Sequence, residues 1–127
     1  MLVGFANGCF DAFHEGHAHF LRIMASQCVW CIVAVNSDRS VKALKGDGRP
    51  VDRRDIRMFN VHEYANCVIP FEGDPKPLLQ AIKPDILFRG EDQVITDFER
   101  AMFDKDKIMV ISRIPGHSTT EKLKTMI

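Results

Sequence analysis

The first 24 residues contain an apolar run, a glycine-containing turn and a helical pattern in direct succession, and this order constrains the fold of the chain most. The apolar run covers residues 2–6, the turn begins at Asn7, and apolar spacing predicts a helix over residues 16–26. A strand followed at once by a helix opens a βα unit. The helix of such a unit directs unpaired backbone N–H groups and its positive dipole end toward a ligand beyond the strand.

The rest of the chain continues this alternation of strand and helix. Strand patterns occupy residues 29–35, 67–71, 86–89 and 107–111, whereas helical patterns occupy residues 52–62, 77–82 and 96–103, with a last helix through Leu123. In the 52–62 helix, Ile56, Phe59 and Val61 are candidate core positions. The short connections predict one Rossmann-like, doubly wound α/β domain over residues 1–127, with a five-stranded parallel sheet covered on both faces.

Charge and length exclude several function classes. The 127 residues carry 17 basic and 17 acidic side chains, so the formal net charge is zero and no general affinity for nucleic acid or an anionic membrane is expected. No apolar stretch approaches the roughly 20 residues that a bilayer span requires, and the N-terminus lacks the features of a signal peptide. We therefore predict a cytoplasmic protein with no membrane or nucleic-acid partner.

Two histidines stand at the predicted start of the first helix. His14 and His17 flank Gly16, which allows a ligand to approach the main chain closely. Imidazole donors beside free helix N–H groups suit a phosphate. The pattern therefore favours phosphate chemistry.

Residues 41–54 are basic and interrupted by glycines. A charge run of this kind is usually a solvated face, but a lysine flanked by glycine in a mobile loop can close over a triphosphate. Lys45 is the best candidate for that contact. Asp38, which follows the second strand, is about equally suited to cap a helix or to contact the ligand.

The C-terminal region predicts a second anion site. Ser118-Thr119-Thr120 followed by Glu121 reads as a capped helix start, whose N–H groups and hydroxyls can bind an anion. Arg113 precedes this segment and is not needed for capping.

These segments resemble the cytidylyltransferase-like nucleotidyltransferase family, which includes glycerol-3-phosphate cytidylyltransferase and the adenylyltransferase domain of the ADP-heptose synthases. The resemblance begins with Gly8-Cys9-Phe10-Asp11 and His14-x-Gly16-His17. It extends over nearly the whole chain in the family's order, through Asn36-Ser37-Asp38, Lys42, Leu44-Lys45-Gly46-Asp47, Arg49-Pro50-Val51, Arg57-Met58, Pro84-Asp85-Ile86-Leu87, Gly90-Glu91-Asp92 and Gly116-x-Ser118-Thr119-Thr120.

The resemblance implies nucleotidyl transfer and gives roles to individual residues. The catalytic residues would be His14 and His17, which donate to the α-phosphate, and Lys45 and Arg113, which neutralise the leaving pyrophosphate. The acceptor would contact Asp11, Asp38, Lys42 and Arg57, although Asp11 could instead position the turn and Arg57 could equally be a surface helix residue. The nucleotide would contact Gly8, Cys9, Phe10, Gly16, Arg89, Gly90, Glu91, Asp92, Ser118, Thr119 and Thr120.

The blocks look closest to the ADP-heptose lineage, which implies ATP and a heptose 1-phosphate or similar sugar phosphate as substrates. The alternative is CTP with glycerol 3-phosphate. Magnesium is expected to arrive with the triphosphate, because Mg²⁺ keeps its waters and uses few carboxylates. The family is also commonly dimeric, so a homodimer is expected.

Two other functions remain open at the level of sequence. His14, His17 and His19 could bind a metal together with nearby cysteines, and the chain could bind nucleotide without turnover. Cys28-Val29-Trp30-Cys31 is formally a CxxC, but it leads into an apolar strand pattern rather than opening a helix. That placement favours buried thiols over redox or metal chemistry.

Overall fold

The computed structural model describes residues 1–113, and five parallel strands form a single sheet in them. The strands are β1 (Val3–Gly8), β2 (Trp30–Asn36), β3 (Cys67–Phe71), β4 (Ile86–Gly90) and β5 (Ile108–Ile111). The helices are α1 (Glu15–Gln27), α2 (Asp38–Lys45), α3 (Arg54–His62), α4 (Lys76–Ile82) and α5 (Asp97–Met102), with a 3₁₀ turn at Lys105–Lys107. Within these residues, no helix has the length and apolar character that a membrane crossing would require.

The strand order is β3-β2-β1-β4-β5, so β1 lies at the centre of the sheet. Six residues of β1 pair with β2 on one side, and Gly4 and Phe5 pair with Ile86 and Leu87 of β4 on the other side. The chain therefore changes its winding direction at β1. In open parallel sheets, a ligand crevice forms beyond the carboxyl ends of the strands at this switch point.

Side chains of alternating strand residues fill two cores, one on each face of the sheet. One core contains Phe88 and the α1 residues Phe20, Leu21 and Met24, all fully buried. The other contains Leu87 and Leu79 of α4. Apolar runs without polar alternation are typical of strands buried on both faces, as the sequence predicted.

The predicted strands and helices are confirmed to within about two residues, with two corrections. Residues 38–45 form α2, although we expected the basic segment after β2 to be a mobile loop. The charged residues of this segment suggested a solvent-exposed loop, because the apolar pattern of the helix consists of little more than Val41, its buried residue. The predicted helix through Leu123 lies outside the described residues.

The second correction concerns the core face of α3. Val61 is fully buried as predicted, but Ile56 and Phe59 are 41% and 78% exposed, so their assignment to the core was wrong. The buried face instead runs through Arg57 and Val61, which are four residues apart and therefore share one side of the helix. A buried arginine is unusual. Its position is explained by the hydrogen bonds that its guanidinium donates to two backbone carbonyls and to the Asp38 carboxylate.

Candidate active site

The turn from β1 into α1 places both histidines at the helix N-terminus. Phe10 and Ala12 adopt left-handed backbone angles (φ 52° and 50°), and the chain then enters α1 with His14 as its N-cap. Nδ1 of His14 accepts a hydrogen bond from the Gly16 N–H at 2.9 Å, and Nδ1 of His17 accepts from the His14 N–H at 3.1 Å. The two imidazoles form a reciprocal capping box.

These hydrogen bonds assign the tautomers of both imidazoles. Because each Nδ1 accepts a hydrogen bond, the proton of each neutral ring lies on Nε2, which is then a donor. The ring centroids of His14 and His17 are 4.1 Å apart. His17 is fully buried and stacks on Phe13 with a centroid distance of 5.2 Å. The structure therefore holds two adjacent Nε2–H donors in fixed orientation beside the carboxyl end of β1.

Asp11 ties the segment after α2 to this turn. Its buried carboxylate accepts hydrogen bonds from Nε of Arg49 and the N–H of Val51, both at 2.7 Å, and from the N–H of Asp52 at 2.8 Å. The described contacts of Asp11 thus position the chain, and its predicted contact with the acceptor stays a prediction.

Arg57 reinforces the same junction from α3. Its guanidinium donates to the carbonyls of Cys9 and Asp52, each at 2.9 Å, and to Oδ1 of Asp38 at 2.6 Å. The Arg57 side chain is fully buried, so Arg57 is not a surface residue of α3. Ser37 caps α2, and Asp38 begins that helix. Contact of Asp38 or Arg57 with the acceptor stays a prediction.

Burial is the largest single influence on the Asp11 carboxyl and raises its pKa. The hydrogen bonds from Asp52, Val51 and Arg49, together with the Arg49 charge, outweigh burial and bring the pKa below its usual value. The folded protein therefore favours the carboxylate. Its stabilisation is complete above the ordinary aspartate pKa of about 3.9 and is lost as pH falls through the lower pKa of the folded state.

We expect Asp11→Asn to lower the free energy of unfolding at pH 7 by about 1.5–3 kcal/mol. The asparagine amide has only one oxygen, so it cannot accept all of the hydrogen bonds that the two oxygens of the Asp11 carboxylate accept. The fall in stability of the wild-type protein as the pH drops below about 4 should be smaller in this variant. Urea unfolding at a series of pH values measures both effects. Asp47→Asn, at an exposed position, serves as the control. A profile for Asp11→Asn parallel to the wild-type profile would contradict the assignment.

A cleft of about 410 Å³ opens at the switch point of the sheet. This volume lies within the range of small-ligand sites. Its wall combines the end of β1 with the ends of α2, β3 and β4 and the start of α5. The lining residues are Asn7, Gly8, Cys9, Asn36, Leu44, Lys45, Phe71, Gly73, Pro75, Arg89, Gln93, Val94, Thr96 and Glu99.

Lys45 reaches this cleft from the last turn of α2, whereas Lys42 of the same helix is exposed. Burial raises the pKa of the Cys9 thiol, and the charges of Lys45, Arg57 and Arg49 act in the opposite direction. These three cations lie near the end of β1, where Arg49 is paired with Asp11 and Arg57 with Asp38. Lys45 adds a positive charge to the cleft wall, which can attract a polyphosphate although the chain has no net charge.

Arg89 and Glu99 form a buried ion pair in the cleft wall. Their side chains are 3% and 4% exposed, and the Arg89 guanidinium also donates to the Phe88 carbonyl at 3.0 Å. Burial lowers the pKa of Arg89, and Glu99 partly offsets this effect. Arg89 was predicted from the resemblance, but nothing in the sequence indicated Glu99 as its partner.

Gln93 joins the two strands that flank the switch point. Its Oε1 accepts from the Gly90 N–H at 2.9 Å, and its Nε2 donates to the Asn7 carbonyl at 3.0 Å. Oδ1 of Asn7 is buried and accepts no hydrogen bond from the residues that the structure describes. Because Asn7 also lines the cleft, this oxygen is available to a donor on the ligand. Sequence reasoning identified neither residue as a site residue.

Arg113 lies two residues beyond β5 and pairs with the acids that follow β4. Its guanidinium binds both carboxylate oxygens of Asp92, and its Nε is 3.3 Å from Oε1 of Glu91. The predicted contacts of Glu91 and Asp92 with ribose or base stay predictions. The predicted Ser118-Thr119-Thr120 site lies outside the described residues.

The structure thus brings many of the predicted residues to the carboxyl edge of the sheet. Gly8, Cys9, Lys45 and Arg89 line one cleft. The histidine pair follows the same β1 turn that contributes Gly8 and Cys9, and Arg113 with its acidic partners follows the adjacent strands β4 and β5. Such convergence from distant segments is what binding of a polyphosphate requires.

Comparison with known proteins agrees with this geometry. The model of the Cytidylyltransferase-like family matches residues 5–126. The chain belongs to the cytidylyltransferase-like family. The Bifunctional protein HldE of Acidiphilium cryptum is 38% identical over 124 residues, and that of Mesorhizobium japonicum is 39% identical over 124 residues, each match covering 93% of this chain. These matches cover 26% and 25% of the relatives, so the chain spans about a quarter of their length.

Solved structures show the same architecture for this cytidylyltransferase-like domain. The lipopolysaccharide core biosynthesis protein from Thermoplasma volcanium has a TM-score of 0.77 and 26% identity, covering 90% of this chain and 98% of that one. Pantoate-beta-alanine ligase from Francisella tularensis, with a TM-score of 0.52 and 18% identity, shares the fold alone over 90% of this chain and 60% of its own. Membership of the cytidylyltransferase-like family identifies the chain as a nucleotidyltransferase.

The structure gives no support to a metal-binding module. Among residues 1–113, no group of three or more His, Cys, Asp or Glu side chains is arranged to hold a metal ion. The carboxylates of Asp11, Asp92 and Glu99 are engaged by arginines or backbone N–H groups. A magnesium ion that arrives with the phosphates of the nucleotide stays a prediction.

Proposed function

We propose that this domain joins the nucleoside monophosphate of ATP to a sugar phosphate of the heptose 1-phosphate type and releases pyrophosphate. The likeness to the HldE proteins supports this substrate class, as does the structural likeness to a lipopolysaccharide core biosynthesis protein. The observation that carries the proposal is the pair of Nε2–H donors fixed at the start of α1, directly after the β1 residues Gly8 and Cys9 that line a cleft together with Lys45.

In the proposed reaction, an oxygen of the acceptor phosphate attacks the α-phosphorus of ATP in line. A new P–O bond forms, and the bond from the α-phosphorus to the bridging oxygen of pyrophosphate breaks. His14 and His17 donate hydrogen bonds to the non-bridging α-phosphate oxygens, where negative charge changes during transfer. Because these donors are held before the substrate binds, little reorganisation is needed in the transition state.

Lys45 and Arg113 neutralise the leaving pyrophosphate. For Arg113, this requires the guanidinium to leave the Asp92 carboxylate and bind a phosphate instead. Two oxygens of the phosphate would then accept the hydrogen bonds that the carboxylate oxygens accept in this structure. Magnesium carried by the triphosphate supplies further positive charge when it is bound. A homodimer and a cytoplasmic location stay predictions.

No side chain is needed as a covalent nucleophile. Cys9 is the thiol nearest to the proposed reaction, since it lines the cleft, but burial raises its pKa and keeps it protonated at neutral pH. A protonated thiol is a poor nucleophile. Direct transfer between the two substrates is therefore the mechanism that this site favours.

A substrate panel tests the proposal. The purified chain is incubated with Mg²⁺, with ATP, CTP, GTP or UTP, and with heptose 1-phosphate, a hexose 1-phosphate or glycerol 3-phosphate, and pyrophosphate release is measured. We expect the fastest release with ATP and the heptose 1-phosphate. Preferred use of CTP with glycerol 3-phosphate would overturn the substrate assignment. ATP binding without pyrophosphate release from any pair would instead indicate a nucleotide-binding domain without turnover.

A further inference from the structure

Two cysteines lie in contact at the edge of the sheet opposite the cleft. Cys28 is the C-cap of α1, and Cys31 is the second residue of β2, where it pairs with Gly4 near the start of β1. Their sulfur atoms are 2.7 Å apart. A disulfide bond is ~2.05 Å long, so the two sulfurs need only a small movement to form one.

The surroundings of the two sulfurs form a built site. Both thiols point toward the Met24 carbonyl at the end of α1, with sulfur-to-oxygen distances of 3.4 Å for Cys28 and 3.8 Å for Cys31. A Cβ atom at Gly4 would lie 2.7 Å from Sγ of Cys28 and 2.6 Å from the Phe88 ring. The glycine in β1 therefore leaves the space that the Cys28 sulfur occupies.

The two thiols differ in accessibility. Cys28 is partly exposed, whereas Cys31 is 3% exposed. Burial, with a smaller effect from Cys28, raises the pKa of Cys31 to about 12. An external reagent can therefore reach Cys28, and Cys31 lies behind it as the second thiol of an exchange reaction. All four cysteines are free thiols in this structure.

We propose that Cys28 and Cys31 form a redox-active dithiol that closes reversibly to an intrachain disulfide by exchange with a small disulfide such as oxidised glutathione. The Cys28 thiolate attacks one sulfur of glutathione disulfide, forms a mixed disulfide and expels one glutathione thiolate. The Cys31 thiolate then attacks Sγ of Cys28 and expels the second. Two protein thiols are oxidised, one small disulfide is reduced to two thiols, and the two protein protons pass to the glutathione thiolates.

The site does not use the nucleotide cleft, so the proposal stands independently of the proposed function. Closure joins the C-terminal end of α1 covalently to β2. Because a crosslink restricts the unfolded chain, the oxidised protein should unfold at a higher temperature than the reduced protein.

Incubation of the full chain in buffers of increasing ratio of oxidised to reduced glutathione tests the proposal. Thiols are counted after acid quenching and denaturation, and the products are identified by intact mass and peptide mapping. We expect the titratable thiols to fall from four to two, with loss of two hydrogen atoms from the intact mass and a Cys28–Cys31 crosslink. Four remaining thiols, a crosslink between other cysteines or a persistent glutathione adduct on Cys28 of the wild-type chain would overturn the proposal.

Single-cysteine variants separate the two steps. Cys31→Ser should stop at a mixed disulfide with one glutathione on residue 28, and Cys28→Ser should form neither the adduct nor the crosslink. Cys67→Ser, altered in β3 outside the pair, is the matched control and should still form the crosslink with the same rise in unfolding temperature. Glutathione attached to Cys31 in the Cys28→Ser variant would contradict the assigned order of attack.

Discussion

His17→Ala is expected to lower turnover about 10²–10³-fold, the range measured when one preorganised donor to a developing charge is removed. The reason is the fixed position of the His17 Nε2–H, which is oriented by the hydrogen bond between its Nδ1 and the His14 N–H at 3.1 Å. Because the donor acts mainly in the transition state, kcat should fall more than KM for the nucleotide rises. Pyrophosphate release under saturating substrates measures the change.

A second substitution separates catalysis from folding. His17→Asn keeps an oxygen near the position of Nδ1 to accept from the His14 N–H but has no donor at the position of Nε2. It should retain more of the stability of wild type than His17→Ala and lose turnover to a similar extent. His19→Ala, two residues further along α1, is the matched control and should keep wild-type turnover. Near-wild-type kcat for a folded His17→Asn would refute the catalytic role.

Glu99→Gln is expected to lower the free energy of unfolding by about 3–5 kcal/mol, the cost of breaking a buried ion pair from one side. The side chains of Arg89 and Glu99 are 3% and 4% exposed. Without the carboxylate, the Arg89 guanidinium would remain buried without a compensating charge. Glu99 also accepts from the Thr96 N–H at 3.0 Å, so the start of α5 depends on the same side chain. Urea unfolding followed by circular dichroism measures the loss.

Two further variants make this test specific to the buried pair. Asp97→Asn removes an exposed acid from the first turn of the same helix and should cost no more than about 1 kcal/mol. Replacing Arg89 and Glu99 together by leucine removes both charges and should recover much of the stability lost in Glu99→Gln. Equal stability of Glu99→Gln and Asp97→Asn would show that the pair contributes little.

The arrangement of strands was predictable because it depends on short-range patterns. The apolar run before Asn7 and the helical spacing after Gly16 define the first βα unit within 24 residues. The same alternation along the chain implies parallel strands covered on both faces. In contrast, α2 was missed because its sequence is dominated by charged residues and only Val41 is buried.

The interior of the site was less predictable because its contacts join distant residues. Asp11 accepts from Arg49 across 38 positions, and Arg57 donates to Cys9 across 48. Local periodicity assigns arginine to the surface, so a guanidinium in the core position of α3 cannot be inferred from the pattern. The resemblance identified Arg57 as important, but only the structure shows that its described contacts stabilise the β1 turn.

The attachment of Lys45 limits how far this lysine can travel. Residues 46–48 connect the end of α2 to Arg49, which Asp11 holds at the β1 turn through a 2.7 Å hydrogen bond. Four Cα steps span at most about 14 Å, so the Lys45 backbone stays within that radius of Arg49 while this bond persists. In the proposed reaction, Lys45 would therefore follow the departing pyrophosphate by local adjustment of its backbone and by side-chain rotation. A long excursion of the kind made by flexible lids would require release of Arg49 first.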